Sequence, residues 1–116
     1  MTTRDIIDEV IASWLTYDAL RASALFAPDG VYAEAGREAI VGRPAILEHF
    51  QRFFRDGPTW RFEVDDIVTE GTRAAIVYRF HVKDATERWS VRPGCAFART
   101  NGELITEWRE FSGVER

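Results

Sequence analysis

Cysteine is almost absent from this chain: Cys95 is the only one among 116 residues. No intrachain disulfide can form, and a zinc site would have to manage without a cysteine pair. Lysine is as scarce, with Lys83 alone beside 14 arginines. Histidine occurs only at His49 and His81, so a metal site would need mostly carboxylate ligands. No apolar run reaches the roughly 20 residues of a membrane span. The opening segment carries Asp5, Asp8 and Glu9 where a signal peptide would be basic and then apolar. Gly-rich phosphate loops and a nucleophile elbow are missing as well. These absences set the expectation of a cytoplasmic protein with no membrane contact, no metal and no cofactor.

A net charge of −4 argues against a nucleic-acid partner, because such binding draws on phosphate neutralisation. What the chain does have is aromatic content: 13% of its residues, four of them Trp, within a hydrophobic share of 46%. That composition excludes intrinsic disorder and supplies one core, so residues 1–116 read as a single domain.

The hydrophobic period changes once, near residue 58. Before it, helical spacing dominates. Ile7, Val10, Ile11 and Trp14 form one stripe behind a Thr3 cap, and Asp18 caps a short second helix holding Leu20, Leu25 and Phe26. Pro28-Asp29-Gly30 reads as a turn, Val31 to Glu34 as a short strand, and Gly36 and Gly42 as the brackets of a loop. Pro44 suits the first turn of a third helix, whose face carries Ile46, Leu47, Phe50 and Phe54 before Asp56-Gly57-Pro58 stops it. From Trp60 the period is two, giving four long strands. Pro93-Gly94 reads as a bulge inside the third of them, and Asn101-Gly102 as a two-residue hairpin turn before the last. The order α-α-β-α-β-β-β-β gives an α+β fold, a curved antiparallel sheet covered by three N-terminal helices.

That order resembles the nuclear transport factor 2-like superfamily. The segment Ala24-Leu25-Phe26-Ala27-Pro28-Asp29-Gly30-Val31-Tyr32 carries the likeness, with Val41-Gly42-Arg43-Pro44-Ala45-Ile46 and the ending Asn101-Gly102-Glu103-Leu104-Ile105-Thr106-Glu107-Trp108-Arg109-Glu110-Phe111. SnoaL-like polyketide cyclases and ketosteroid isomerases are the most similar in character. The resemblance implies a cone whose sheet holds a pocket closed by the helices, and a convex sheet face that forms a homodimer. It implies little about chemistry, since function is grafted onto such folds site by site.

Within that frame Glu34 takes the place of the isomerases' proton-shuttling aspartate. An aromatic pocket would desolvate it and raise its pKa toward the range of general acid–base work; the other reading is an ion pair with Arg37 or Arg43. The isomerases' two oxygen-binding donors, a helix-1 tyrosine and a protonated aspartate, correspond to Trp14 and Cys95 here. Tyr17 and Tyr32 are the alternative phenolic donors. Strand parity in this register turns Ile76, Tyr78, Phe80, Trp89, Val91, Cys95, Trp108 and Glu110 inward, with Phe50 and Phe54 facing them from the third helix. Arg79, His81, Arg88, Arg92, Glu107 and Arg109 turn outward. A slip of one residue would bring His81 inside and expel Tyr78.

Two classes of function remain open from the sequence. One is a proton-transfer enzyme of isomerase, cyclase or dehydratase type acting on a small apolar carbonyl compound, with Glu34, Tyr17 and Tyr32 in the chemistry. The other is a non-catalytic ligand-binding or homodimerisation module. A void under about 300 Å³ favours the second.

Overall fold

The computed structural model describes residues 1–112; positions 113–116, which the single-domain reading includes, lie outside the described residues. Helix α1 runs Thr3–Leu15, and its cap is Thr2 rather than Thr3. The Thr2 hydroxyl accepts from the Asp5 amide while the Asp5 carboxylate accepts from the Thr2 amide, so two of the free amides at the helix start are satisfied. These bonds also hold the Asp5 carboxyl below its ordinary pKa. Thr3 is thereby released to the buried side, where its hydroxyl meets that of Thr100 at 3.0 Å. The stripe foreseen from the sequence is buried and includes Ile6 as well. Asp18 caps α2, Ala19–Ala24, through the Arg21 amide.

The chain then departs from expectation. Phe26 opens β1, which continues through Pro28-Asp29-Gly30 to Glu34 as one strand of nine residues. The proline and glycine are absorbed by an irregularity in pairing between Phe26 and Val31. The loop after it contains a two-residue strand, β2 (Ile40–Val41), followed by α3 (Arg43–Asp56). Four long strands complete the fold: β3 Thr59–Glu70, β4 Arg73–Lys83, β5 Trp89–Thr100 and β6 Ile105–Ser112. Asn101 does mark the last hairpin, but its loop spans four residues. The Asn101 side-chain oxygen accepts from the Glu103 and Leu104 amides there, in place of a two-residue turn.

The α+β class holds, with three helices on a curved six-stranded sheet ordered β2-β1-β6-β5-β4-β3. One pairing is not antiparallel: β1 runs parallel to β6, with Tyr32 opposite Trp108 and Glu34 opposite Glu110. Trp108, Phe26, Ile6, Ile7, Ile46, Ile76 and Ile105 form the fully buried centre beneath the helices.

Register decides which side chains face the helices. The β4–β5 ladder is unbroken from Arg73 to Lys83, so Pro93-Gly94 makes no bulge. Ile76 pairs with Ala96, Tyr78 with Gly94 and Phe80 with Arg92, and these residues share the inner face. Trp89, Val91 and Cys95 therefore lie on the outer face, not in the cavity as their parity had been read; Arg92 makes the reverse correction. His81 is on the outer face, with Nε2 3.2 Å from Glu63 Oε1 but out of hydrogen-bond alignment. Beside it Arg79 bridges Glu63 and Asp65 at 2.8 and 2.9 Å. Trp89, Val91, Val77 and Phe111 leave 44–51% of their surface exposed on this same face. No helix among the described residues is long and apolar enough to cross a membrane.

Candidate functional site

Between α1, α3 and the inner face of the sheet lies a cavity of about 160 Å³. Its walls are rings: Trp14 from α1, Phe50, Phe53 and Phe54 from α3, Trp60 and Phe62 from β3, Tyr78 and Phe80 from β4. The arrangement follows from sequence spacing. On α3, His49, Phe50, Phe53 and Phe54 are paired at i and i+4, which places them on one face. On β3 and β4, alternate residues point the same way. Most of the rings meet edge to face or tilted, Trp14 against Trp108 at 4.9 Å and Phe62 against Tyr78 at 4.6 Å, while Phe50 and Phe54 stack at 5.9 Å.

The polar groups gather where β1 and β6 run side by side. Glu110 Oε1 accepts from the Tyr32 hydroxyl at 2.8 Å and from the Trp108 indole N–H at 3.0 Å. Part of Glu110 opens to the cavity, but its carboxyl is set deep enough that burial raises its pKa to about 7. The two donors oppose that rise, and the neighbouring Glu34 charge adds to it. Burial and the Glu110 charge together push the Tyr32 phenol far above its ordinary value, so it stays a donor.

Glu34, one strand away in register with Glu110, has the opposite environment. His49 Nε2 lies 3.6 Å from its Oε1, and Arg37 Nε lies 3.9 Å from Oε2. These contacts, His49 first, hold the Glu34 carboxyl below the usual glutamate value. The raised pKa expected from an aromatic pocket is thus found at Glu110 and not at Glu34. Arg43, the other ion-pair candidate for Glu34, donates instead to the Phe26 carbonyl at 2.7 and 2.9 Å, joining α3 to β1.

Of the residues singled out from sequence, Glu34, Tyr32, Trp14, Phe50, Phe54, Tyr78, Phe80 and Glu110 line the cavity. Tyr17 does not: it stacks on Trp60 at 4.9 Å and donates to the Trp60 carbonyl at 3.1 Å. Trp108 lies fully buried behind the lining and reaches it only by donating to Glu110. His49, Phe53, Trp60, Phe62, Arg92 and Ser112 are lining residues that the sequence reading missed. The signal for His49 was present in its i+4 relation to Phe53; Arg92 could be found only from the β4–β5 register. Among the described residues no three His, Cys, Asp or Glu side chains group as metal ligands.

Comparison with known proteins adds a family and a fold. Residues 7–108 match the SnoaL-like domain family. No curated protein matches the sequence. Among solved structures, a hypothetical protein from Catenulispora acidiphila with a ketosteroid isomerase-like fold, in complex with trimethylamine, aligns at 22% identity. That alignment has a TM-score of 0.80 and covers 91% of this chain and 83% of that one. A protein assigned as a SnoaL-like polyketide cyclase from Shewanella denitrificans gives 15% identity and a TM-score of 0.82, over 96% and 90% of the two chains. SalBIII, an epoxide hydrolase/cyclase-like enzyme in pyran ring formation in salinomycin, gives 16% and 0.84, over 97% and 91%. At these identities the likeness is one of fold.

Proposed function

The chain belongs to the SnoaL-like domain family, and on that premise we propose that it binds a compact organic molecule and moves protons on it through Glu34 and Glu110. The observation that carries this reading is the pairing of two carboxylates on adjacent strands whose environments drive their pKa values apart. Such a split assigns the roles of base and acid within one site. Glu34 stays ionised and accepts a proton from carbon beside a carbonyl group. Glu110, whose carboxyl pKa burial raises to about 7, gives its proton to the carbonyl oxygen as the enol forms. The O–H proton then returns to Glu110 while Glu34 delivers its proton to the far carbon of the conjugated enol, which completes an isomerisation. No cofactor enters these steps. That SalBIII and an assigned polyketide cyclase share the fold supports the class of chemistry.

A cavity of about 160 Å³ is narrower than a typical ligand site. An apolar void of about 150 Å³ accommodates benzene, so the ligand we propose is the size of a single ring and not a steroid. The same narrowness favours a second reading, a non-catalytic ligand-binding or dimerisation module. For that role we propose a homodimer through the outer face, where exposed Val77, Val91, Trp89 and Phe111 sit among alternating charges.

Exchange of α-hydrogens of cyclohexanone for deuterium in heavy water, followed by NMR, separates the readings. Catalysed exchange that falls at least a hundredfold in both Glu34→Gln and Glu110→Gln supports the proton-transfer reading. Exchange no faster than in buffer, with cyclohexanone still bound, establishes the non-catalytic one.

A further inference from the structure

Tyr78 is one of the lining residues whose polar side-chain atoms the described contacts leave unused, with Trp14, Trp60, Arg92 and Ser112. No described residue hydrogen-bonds its hydroxyl. The oxygen is not sealed off either: the enclosed side-chain atoms without partners are Trp14 Nε1, Trp60 Nε1 and His81 Nε2. The ring is otherwise buried and packs on Phe62 at 4.6 Å. Its seat is made by Gly94, the residue opposite on β5. A Cβ at position 94 would lie 2.5 Å from Tyr78 Cζ, 2.6 Å from Cε1 and 2.7 Å from the hydroxyl oxygen, inside any tolerable contact. Both neighbouring inner positions of β5 carry side chains, Arg92 and Ala96, so the bare backbone occurs where the ring lies across it.

We propose that the Tyr78 hydroxyl, seated on Gly94, is the hydrogen-bond donor that holds a ligand's oxygen in the cavity, making the preferred ligand a compact cyclic ketone and not a hydrocarbon of the same shape. This rests on the pocket reading above and adds to it a recognition residue and the backbone position that makes room for it. The charged and titratable groups facing the cavity are Glu34 and Tyr32 on β1, His49 on α3, Arg92 on β5 and Glu110 on β6. Tyr32 is committed to Glu110, and Glu110 Oε1 accepts from two donors. Tyr78 therefore has its hydrogen to offer, and burial beside Glu110 keeps the phenol protonated at every ordinary pH.

Cyclohexanone and methylenecyclohexane differ by an oxygen in place of a terminal CH₂ and share their outline, so their ratio of dissociation constants reads the oxygen contact. Wild-type protein is expected to prefer the ketone by about tenfold, the effect of one well-made hydrogen bond. Tyr78→Phe keeps the ring and is expected to abolish that preference or turn it toward the hydrocarbon, because a buried carbonyl without a donor is penalised, leaving methylenecyclohexane binding unchanged. Gly94→Ala is expected to do the same by dislodging an intact tyrosine. A tenfold preference that survives Tyr78→Phe overturns the proposal while leaving the pocket reading in place. Failure of both probes to bind the wild-type protein overturns both readings together.

Discussion

Tyr32 donates its phenolic hydrogen to Oε1 of Glu110 across 2.8 Å, from the parallel strand alongside. A donor to the ionised carboxylate favours that form, so this bond holds the Glu110 pKa lower than burial alone would leave it. Tyr32→Phe removes the donor and keeps the ring. The Glu110 pKa should then rise from about 7 by on the order of one unit, measured by the carboxyl carbon shift in a pH titration. An unchanged titration would mean that burial, Trp108 and the charges of Glu34 and His49 set the value without Tyr32.

Stability should carry the same signature. Glu110 binds its proton more tightly in the folded chain, with a pKa of about 7, than at its ordinary 4.5 in the unfolded one. Between those values folding takes up a proton, so the contribution of this group declines as pH rises from 4.5 to 7 and is level above. Glu110→Gln cancels that decline. Urea unfolding should show the variant gaining on wild type between pH 5 and pH 8 by on the order of 2 kcal/mol, a figure reduced for the side of the carboxyl open to cavity water. A pH-independent difference between the two proteins would refute the assignment.

The outer face offers a third test. Val77, 44% exposed, lies opposite Cys95 near the middle of the sheet. Wild-type protein at tens of micromolar should sediment as a dimer, and Val77→Arg should return it to a monomer without loss of thermal stability, since the position is solvated in the single chain. A wild-type monomer at those concentrations would remove the self-association proposal.

Much of this was legible in the sequence wherever one local signal had one meaning. Ile7, Val10, Ile11 and Trp14 share a buried face because helical spacing leaves no other arrangement. Asp18 caps α2 for the reason an Asp precedes any helix. The readings that failed needed a partner strand. Pro28-Asp29-Gly30 has the composition of a turn, and it does bulge, but inside a strand: β1 advances from Phe26 to Val31 while β6 advances only from Ile105 to Glu107. Trp89, Val91 and Cys95 alternate correctly, but alternation fixes only which residues agree with one another. Which face they share is set by Val77 pairing with Cys95 and His81 with Val91. The site suffered in the same way. Glu34 and Glu110 were both picked out, but their opposite electrostatics come from His49 on α3, which lowers the one, and from burial among elements separated widely along the chain, which raises the other.

The place of β6 in the sheet also governs the order in which the molecule can be assembled as it is synthesised. β3, β4 and β5 can zip into successive hairpins as each leaves the ribosome. β1, made earlier, has only the two-residue β2 to pair with until residues 105–112 emerge and close the gap between β1 and β5. From the completion of β4 until β6 emerges the nascent chain therefore carries two unjoined fragments with bare edges, the condition under which strands recruit strangers. A message truncated before β6 would cost far more than one strand, because it would leave the two parts of the sheet with nothing to hold them together.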